Sequence, residues 1–231
     1  MSSHTSTGRR AALVGLIVAT VIALVWTLWP DAGTHTEGSE IPPPQVVVPG
    51  TKLVSAECNR QATSAFVPTR ITIAKVARNA PVLALGRDDN NVPQAPAIST
   101  LGKTQFAWDD PKKDAGHVDK IKPPGAAPGS TRGHVLMNAH TWPDGTALGN
   151  RLLEHLQVGG RIVLRGRHAE LCYRVTKRFV IKAVDGSAEY YRQSGPEQIA
   201  LIVCSPPRLG PGNWAHRTIW FASPITAEDP A

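Results

Sequence analysis

From Arg70 onward, short runs rich in β-branched and apolar residues recur, separated by Gly, Pro and Asp. Arg70–Ala74 alternates as a strand does, and Val82–Leu85, Phe106–Trp108 and His134–Asn138 follow. Further runs occupy Arg161–Leu164, Leu171–Val184, Ile199–Cys204 and Arg217–Ala222. One segment breaks the pattern. In Leu148–Leu156 the leucines at 148, 152, 153 and 156 share one face of a helix, and Gly159-Gly160 ends it. About eight short strands and one or two short helices predict an all-β domain, a barrel or a sandwich. The 20 glycines and 20 prolines supply the turns that so many strands need.

The first quarter of the chain reads differently. Ala11–Trp29 is an uncharged apolar run, preceded by Arg9 and Arg10. As a helix, 19 residues would span roughly 28 Å, close to a bilayer core. The expected organisation is a cytoplasmic tail (1–10), a transmembrane signal-anchor (11–29), an extracellular Pro-rich stalk (30–65) and a catalytic domain (66–226). A cleaved signal peptide is the alternative, and both readings export the domain. The expected localisation is therefore the cell membrane, single-pass, with the membrane as a partner. The net charge of +7 suits anionic surfaces, but the basic residues form no dense patch. Export argues against nucleic acid.

Three cysteines leave an odd thiol. Cys204 closes an apolar strand and meets Ser205-Pro206-Pro207, so a rigid scaffold would present its sulfur at a loop. A buried structural thiol is the plainer alternative. His140 follows another strand and opens the Thr141–Gly145 loop, where it could exchange a proton with a thiol. Arg217 lies on the strand after Cys204, between Trp214 and Trp220. It could hold an oxyanion, or simply pair with a surface acid. Asp88, Asp89, Asp109 and Asp110 lack calcium-loop spacing and read as exposed turn acids.

The order His140, Cys204, Arg217, with separations of 64 and 13, resembles the sortase family. Val67–Ile73 is similar to that family's opening strand, Pro128-Gly129-Ser130 to the turn before its histidine, and Ile199–Cys204 to its cysteine strand. The resemblance spans roughly 66–225 and looks closest to an actinobacterial-type, class E/F-like sortase. It departs at Ala139, Ala200 and Val203, where the family has Gly and two threonines.

The resemblance implies an eight-stranded β-barrel, Cys204 as nucleophile, His140 as general acid and base, and Arg217 as oxyanion or substrate positioner. Trp142, Val203, Tyr190 and Tyr191 are the expected substrate contacts, although the tyrosines could equally cap the core. The implied reaction cleaves a Leu-Pro-x-Thr-Gly or Leu-Ala-x-Thr-Gly signal of secreted proteins after Thr and passes the acyl group to a cell-wall amine, with no cofactor and no metal. Cys58 and Cys172 are candidates for a disulfide.

A degenerate wall-binding module would tolerate the altered threonines. An L,D-transpeptidase would place His-Gly before its cysteine, and a thiol–disulfide oxidoreductase would need a second nearby cysteine.

Overall fold

The computed structural model describes residues 62–113 and 122–225. Eight strands form a closed barrel. In chain order they are β1 (Arg70–Ile73), β2 (Ala77–Leu85), β3 (Phe106–Asp109), β4 (His134–Ala139), β5 (Arg161–Arg165), β6 (Glu170–Lys182), β7 (Gln198–Gly210) and β8 (Asn213–Pro224). A 3₁₀ turn at Gly102–Thr104 precedes β3, and α1 (Leu148–His155) lies between β4 and β5. Around the barrel the order is β1-β2-β3-β4-β7-β8-β6-β5, closed by antiparallel pairing of β1 with β5. Two neighbouring pairs are parallel, β2 with β3 and β4 with β7. The expected all-β barrel is the observed fold.

β4 is buried along its whole length because both of its faces are covered. Val135, Met137 and Ala139 point into the barrel with Trp108, Ile199, Leu201 and Trp220. Leu136 points outward and packs with Tyr190, Ala200, Ile219 and Phe221. The covering chain is hydrogen-bonded to the strand: His134 N–H donates to Arg192 O (3.0 Å), and Ala126 N–H to His134 O (2.7 Å). Helix α1 packs on the barrel core through Leu148 and Leu152, and Leu156 after it joins them. The Trp220 indole N–H caps the Leu156 carbonyl at 2.8 Å.

Several expectations are corrected. Cys204 does not end its strand: β7 continues to Gly210 and returns as β8. Prolines 206 and 207 cannot donate to the ladder, and the register shifts there between Ser205 and Arg208 instead of the strand stopping. Asp109 and Asp110 are not exposed turn acids but buried. Asp109 forms a fully buried, two-pronged pair with Arg87, with Nη2 at 2.5 Å from Oδ2 and Nε at 3.1 Å from Oδ1. It also accepts the Gly125 N–H (2.9 Å), while Arg87 donates to Pro123 O (2.8 Å) and lies over the Tyr191 ring. Removing either charge would strand the other in the interior, at about 3–5 kcal/mol.

Among the described residues no helix is long and apolar enough to cross a membrane. The expected tail (1–10) and span (11–29), with the stalk as far as residue 61, lie outside the described residues. The transmembrane helix, the signal-anchor, the single-pass membrane localisation and the membrane as a partner are therefore withdrawn, for nothing in the described fold supplies a spanning element. Cys172 is disulfide-bonded. Its expected partner, Cys58, also lies outside the described residues.

Glu197 is the buried acid with the clearest consequence. Burial raises its pKa from 4.5 to about 7, against opposing hydrogen bonds from the Tyr173 hydroxyl (2.7 Å) and the Gly129 N–H. The unfolded chain loses this proton near pH 4.5, whereas the folded chain holds it to about 7. Folding is therefore penalised progressively as pH rises through that window, by an order of ~3 kcal/mol above it. Urea denaturation of the parent and Glu197→Gln should show their stability difference shifting in favour of the variant between pH 4.5 and 7. A difference that stays flat with pH would contradict this assignment.

Candidate active site

Every pair in the β4–β7 ladder joins residues 64 apart, from His134–Gln198 to Asn138–Ile202. Two residues further along each strand are His140 and Cys204. The parallel register thus brings them to the same level, and alternation directs both to the outer face, as with Leu136, Asn138, Ala200 and Ile202. On the other side of β7, Cys204 pairs across the antiparallel ladder with Arg217. Paired residues share a face, so Arg217 flanks Cys204 from β8. The three residues line one cleft of about 550 Å³. Trp142, Val203, Tyr190 and Tyr191 line it too.

These four contribute differently. Trp142 is half-buried, held by reciprocal hydrogen bonds between its backbone and the Asn150 amide (2.9 and 3.0 Å), with Lys103 Nζ 4.5 Å from its ring centre. Lys103 also pairs with Asp144 (2.6 Å) and holds that carboxyl down at about 2, helped by Thr146. Val203 borders the cleft while its side chain packs in the barrel interior. Tyr190 is buried in the outer cluster, its hydroxyl turned to Met137 O (3.4 Å). Tyr191 meets Tyr190 edge-on, and its exposure is intermediate.

His140 Nε2 lies 2.5 Å from the Pro96 carbonyl. A carbonyl only accepts, so Nε2 carries the proton and donates, leaving Nδ1 as the acceptor nitrogen of the neutral ring. The second histidine of the strand, His134, is structural. It accepts from Arg192 at Nε2 (2.7 Å), donates from Nδ1 to Tyr190 O (3.1 Å), and burial lowers its pKa.

Burial pushes the Cys204 thiol up from its ordinary value, and the Arg217 guanidinium partly opposes this. Cys204 is a free cysteine, and its Sγ makes no hydrogen bond among the described residues. Arg217 Nη1 is anchored by Trp214 O (3.1 Å) and His216 O (2.9 Å), which fixes the fork and leaves Nη2 and Nε without a hydrogen bond among the described residues.

Over the matched residues 71–225, more than half of the chain, the sequence fits the sortase domain family. This chain belongs to the sortase family. No curated protein matches it. Among solved structures it is similar to Streptococcus agalactiae sortase C1 in complex with MTSET, at 17% identity over 74% of each chain with a TM-score of 0.48. The pilus-related sortase C of Group B Streptococcus matches at 16% over 71% of each chain, with a TM-score of 0.48. Group B Streptococcus pilus island 1 sortase C2 matches at 16% over 70% of this chain and 77% of that one, with a TM-score of 0.47. These matches carry the name sortase C, none is an actinobacterial class E/F-like sortase, and that expected subclass is withdrawn. At such identities and TM-scores they place this sortase in no subclass.

Two supports of the site escaped the sequence reading. The Thr141 hydroxyl donates to Cys204 O at 2.5 Å, tying the histidine loop directly to the cysteine strand. Gly149, the second residue of α1, receives the histidine backbone: a Cβ there would sit 2.4 Å from His140 O and 2.5 Å from Thr141 Oγ1. A glycine inside a short helix is the available signal, since it costs stability unless backbone must come close. Thr141→Val should lower stability by about 1 kcal/mol and kcat/KM by roughly tenfold, because it uncouples the two strand ends. Steady-state kinetics and urea melts on one preparation check this, and unchanged kcat/KM would contradict it.

Proposed function

We propose that this sortase is an active cysteine transpeptidase, with 66–226 as its catalytic domain. It would cleave a Leu-Pro-x-Thr-Gly or Leu-Ala-x-Thr-Gly signal in secreted proteins after Thr and pass the acyl group to a cell-wall amine. The β4–β7 register carries this reading, since it sets His140 level with Cys204, while the β7–β8 ladder sets Arg217 opposite.

The chemistry follows from the donors and acceptors present. With its thiol pushed up by burial, Cys204 rests mainly protonated. The reactive form is a minor thiolate–imidazolium pair with His140, stabilised in part by Arg217. The thiolate adds to the Thr carbonyl carbon, and the resulting oxyanion takes hydrogen bonds from the Arg217 fork. As the tetrahedral centre collapses, the C–N bond breaks and His140 gives its Nδ1 proton to the leaving Gly amine. A thioester to Cys204 remains. An incoming amine adds to it, neutral His140 takes the amine's proton, and the C–S bond breaks to return the thiolate. The Pro96 carbonyl orients the ring, as the third member of a triad does.

One observation favours a non-catalytic wall-binding module: no hydrogen bond joins His140 to Cys204. Apo geometry is often looser than the Michaelis complex, so this does not displace the enzyme reading. The full chain with either peptide and an amine acceptor should yield cleavage after Thr and a ligated product. Cys204→Ala should abolish both. His140→Ala and Arg217→Ala should each lower kcat/KM by about 10²–10⁴-fold, with Arg217→Lys recovering only part. A folded chain that binds these peptides but never cleaves them would support the binding module instead.

A further inference from the structure

The charge in the cleft is one-sided. Arg208 and Arg217 both border it, and among the described residues no carboxylate does. Nearby acids are already engaged: Asp144 with Lys103 (2.6 Å), Glu189 with Lys177 (3.0 Å) and Asp109 with Arg87 (2.5 Å). Arg217 is anchored beside the sulfur by two carbonyls, which commits it to the reacting centre. Arg208 is different. It is exposed on β7 beyond the register break, opposite Trp214, and among the described residues its side chain has no hydrogen bond or ion pair. Prolines 206, 207 and 211 bracket it and limit the backbone motion of the hairpin that presents it.

The rest of the lining is largely apolar, with Val92, Pro93, Ala95 and Ile98 bordering the same cleft as this hairpin's residues. A peptide seated in this cleft would shield Arg208 from water and strengthen its attraction for a carboxylate. We propose that the acyl-donor peptide carries an acidic side chain beside its scissile bond, and that Arg208 selects it. This rests on the sortase reading above and names a feature of its substrate. It deepens that reading through a residue outside the His140, Cys204 and Arg217 set. A basic side chain at the same place would face two cations and be rejected, so discrimination has a repulsive as well as an attractive part.

The test uses the full chain and Leu-Pro-x-Thr-Gly peptides with x as Glu, Gln or Lys, and a parallel set with these residues placed directly after Gly. Hydrolysis is followed without an amine, so that only the acylation half is read. The Glu peptide should exceed the Gln peptide by about fivefold in kcat/KM in at least one set, with the Lys peptide lowest, and the preference should shrink at high salt. Ratios are taken within each protein, so any general loss in a variant cancels. Arg208→Gln should bring the Glu:Gln ratio to within about twofold of unity, Arg208→Lys should restore part of it, and Arg208→Glu should favour Lys. Equal rates for Glu and Gln in both sets, or the parent's ratio persisting in Arg208→Gln, would overturn the proposal. So would a charge preference seen only in the choice of amine acceptor. If the parent cleaves no peptide, the transpeptidase reading is what fails. Fluorescence anisotropy of the same peptides on Cys204→Ala then reads the charge ratio without turnover and decides this inference separately.

Discussion

The parallel pairing of β4 with β7 is the constraint on which the site depends. Parallel neighbours cannot be joined by a tight turn, so a long connection must run between them. Here that connection carries α1, β5, β6 and the covering segment around Tyr190. The ladder then fixes a constant offset of 64 residues, and no local interaction of His140 or Cys204 needs to find the other. A slip of one residue would turn every outer side chain of one strand inward. Burial of both faces of β4 prevents that, because Val135 and Met137 fill the barrel while Leu136 fills the outer cluster.

Polar structure around the cleft is arranged by charge pairs that are satisfied before any substrate arrives. The buried Arg87–Asp109 pair stitches the end of β2, β3 and residues 123–125 together and sets Arg87 under Tyr191. Lys103 clamps the 3₁₀ turn to the loop after His140 through Asp144, Thr146 and the Trp142 face. Among the described residues the cleft is lined by two arginines and no carboxylate, next to a thiol that burial holds protonated. The reactive form of that thiol grows only when the surroundings favour the anion, and Arg217 is the group that acts in that direction.

Much of this was legible in the sequence. Strand periodicity and turn residues foreshadowed eight strands and one helix, and the ordered His140, Cys204 and Arg217 now border one cleft. What could not be read were features made by non-local backbone contact. Pro206-Pro207 looked like the end of a strand, because no local pattern distinguishes a bulged hairpin from a loop. Asp109 looked exposed, because its partner Arg87 lies 22 positions away in irregular chain. The Pro96 carbonyl behind His140 had no signature at all, since any residue supplies a carbonyl. Gly149 did leave a trace, an anomalous glycine in a short helix, and its cause became visible only with the His140 backbone packed against it.

If the register of β4 and β7 makes Cys204 an acyl carrier, its sulfur must hold the donor peptide as a thioester. Intact-mass and tandem mass spectrometry of the full chain, quenched in acid shortly after mixing with a sorting-signal peptide and no amine, tests it directly. The account predicts a mass increase equal to the peptide's half up to Thr, localised to Cys204 and released by hydroxylamine as a thioester would be. Cleavage of the peptide with no adduct on Cys204, or an adduct on any other residue, would contradict it.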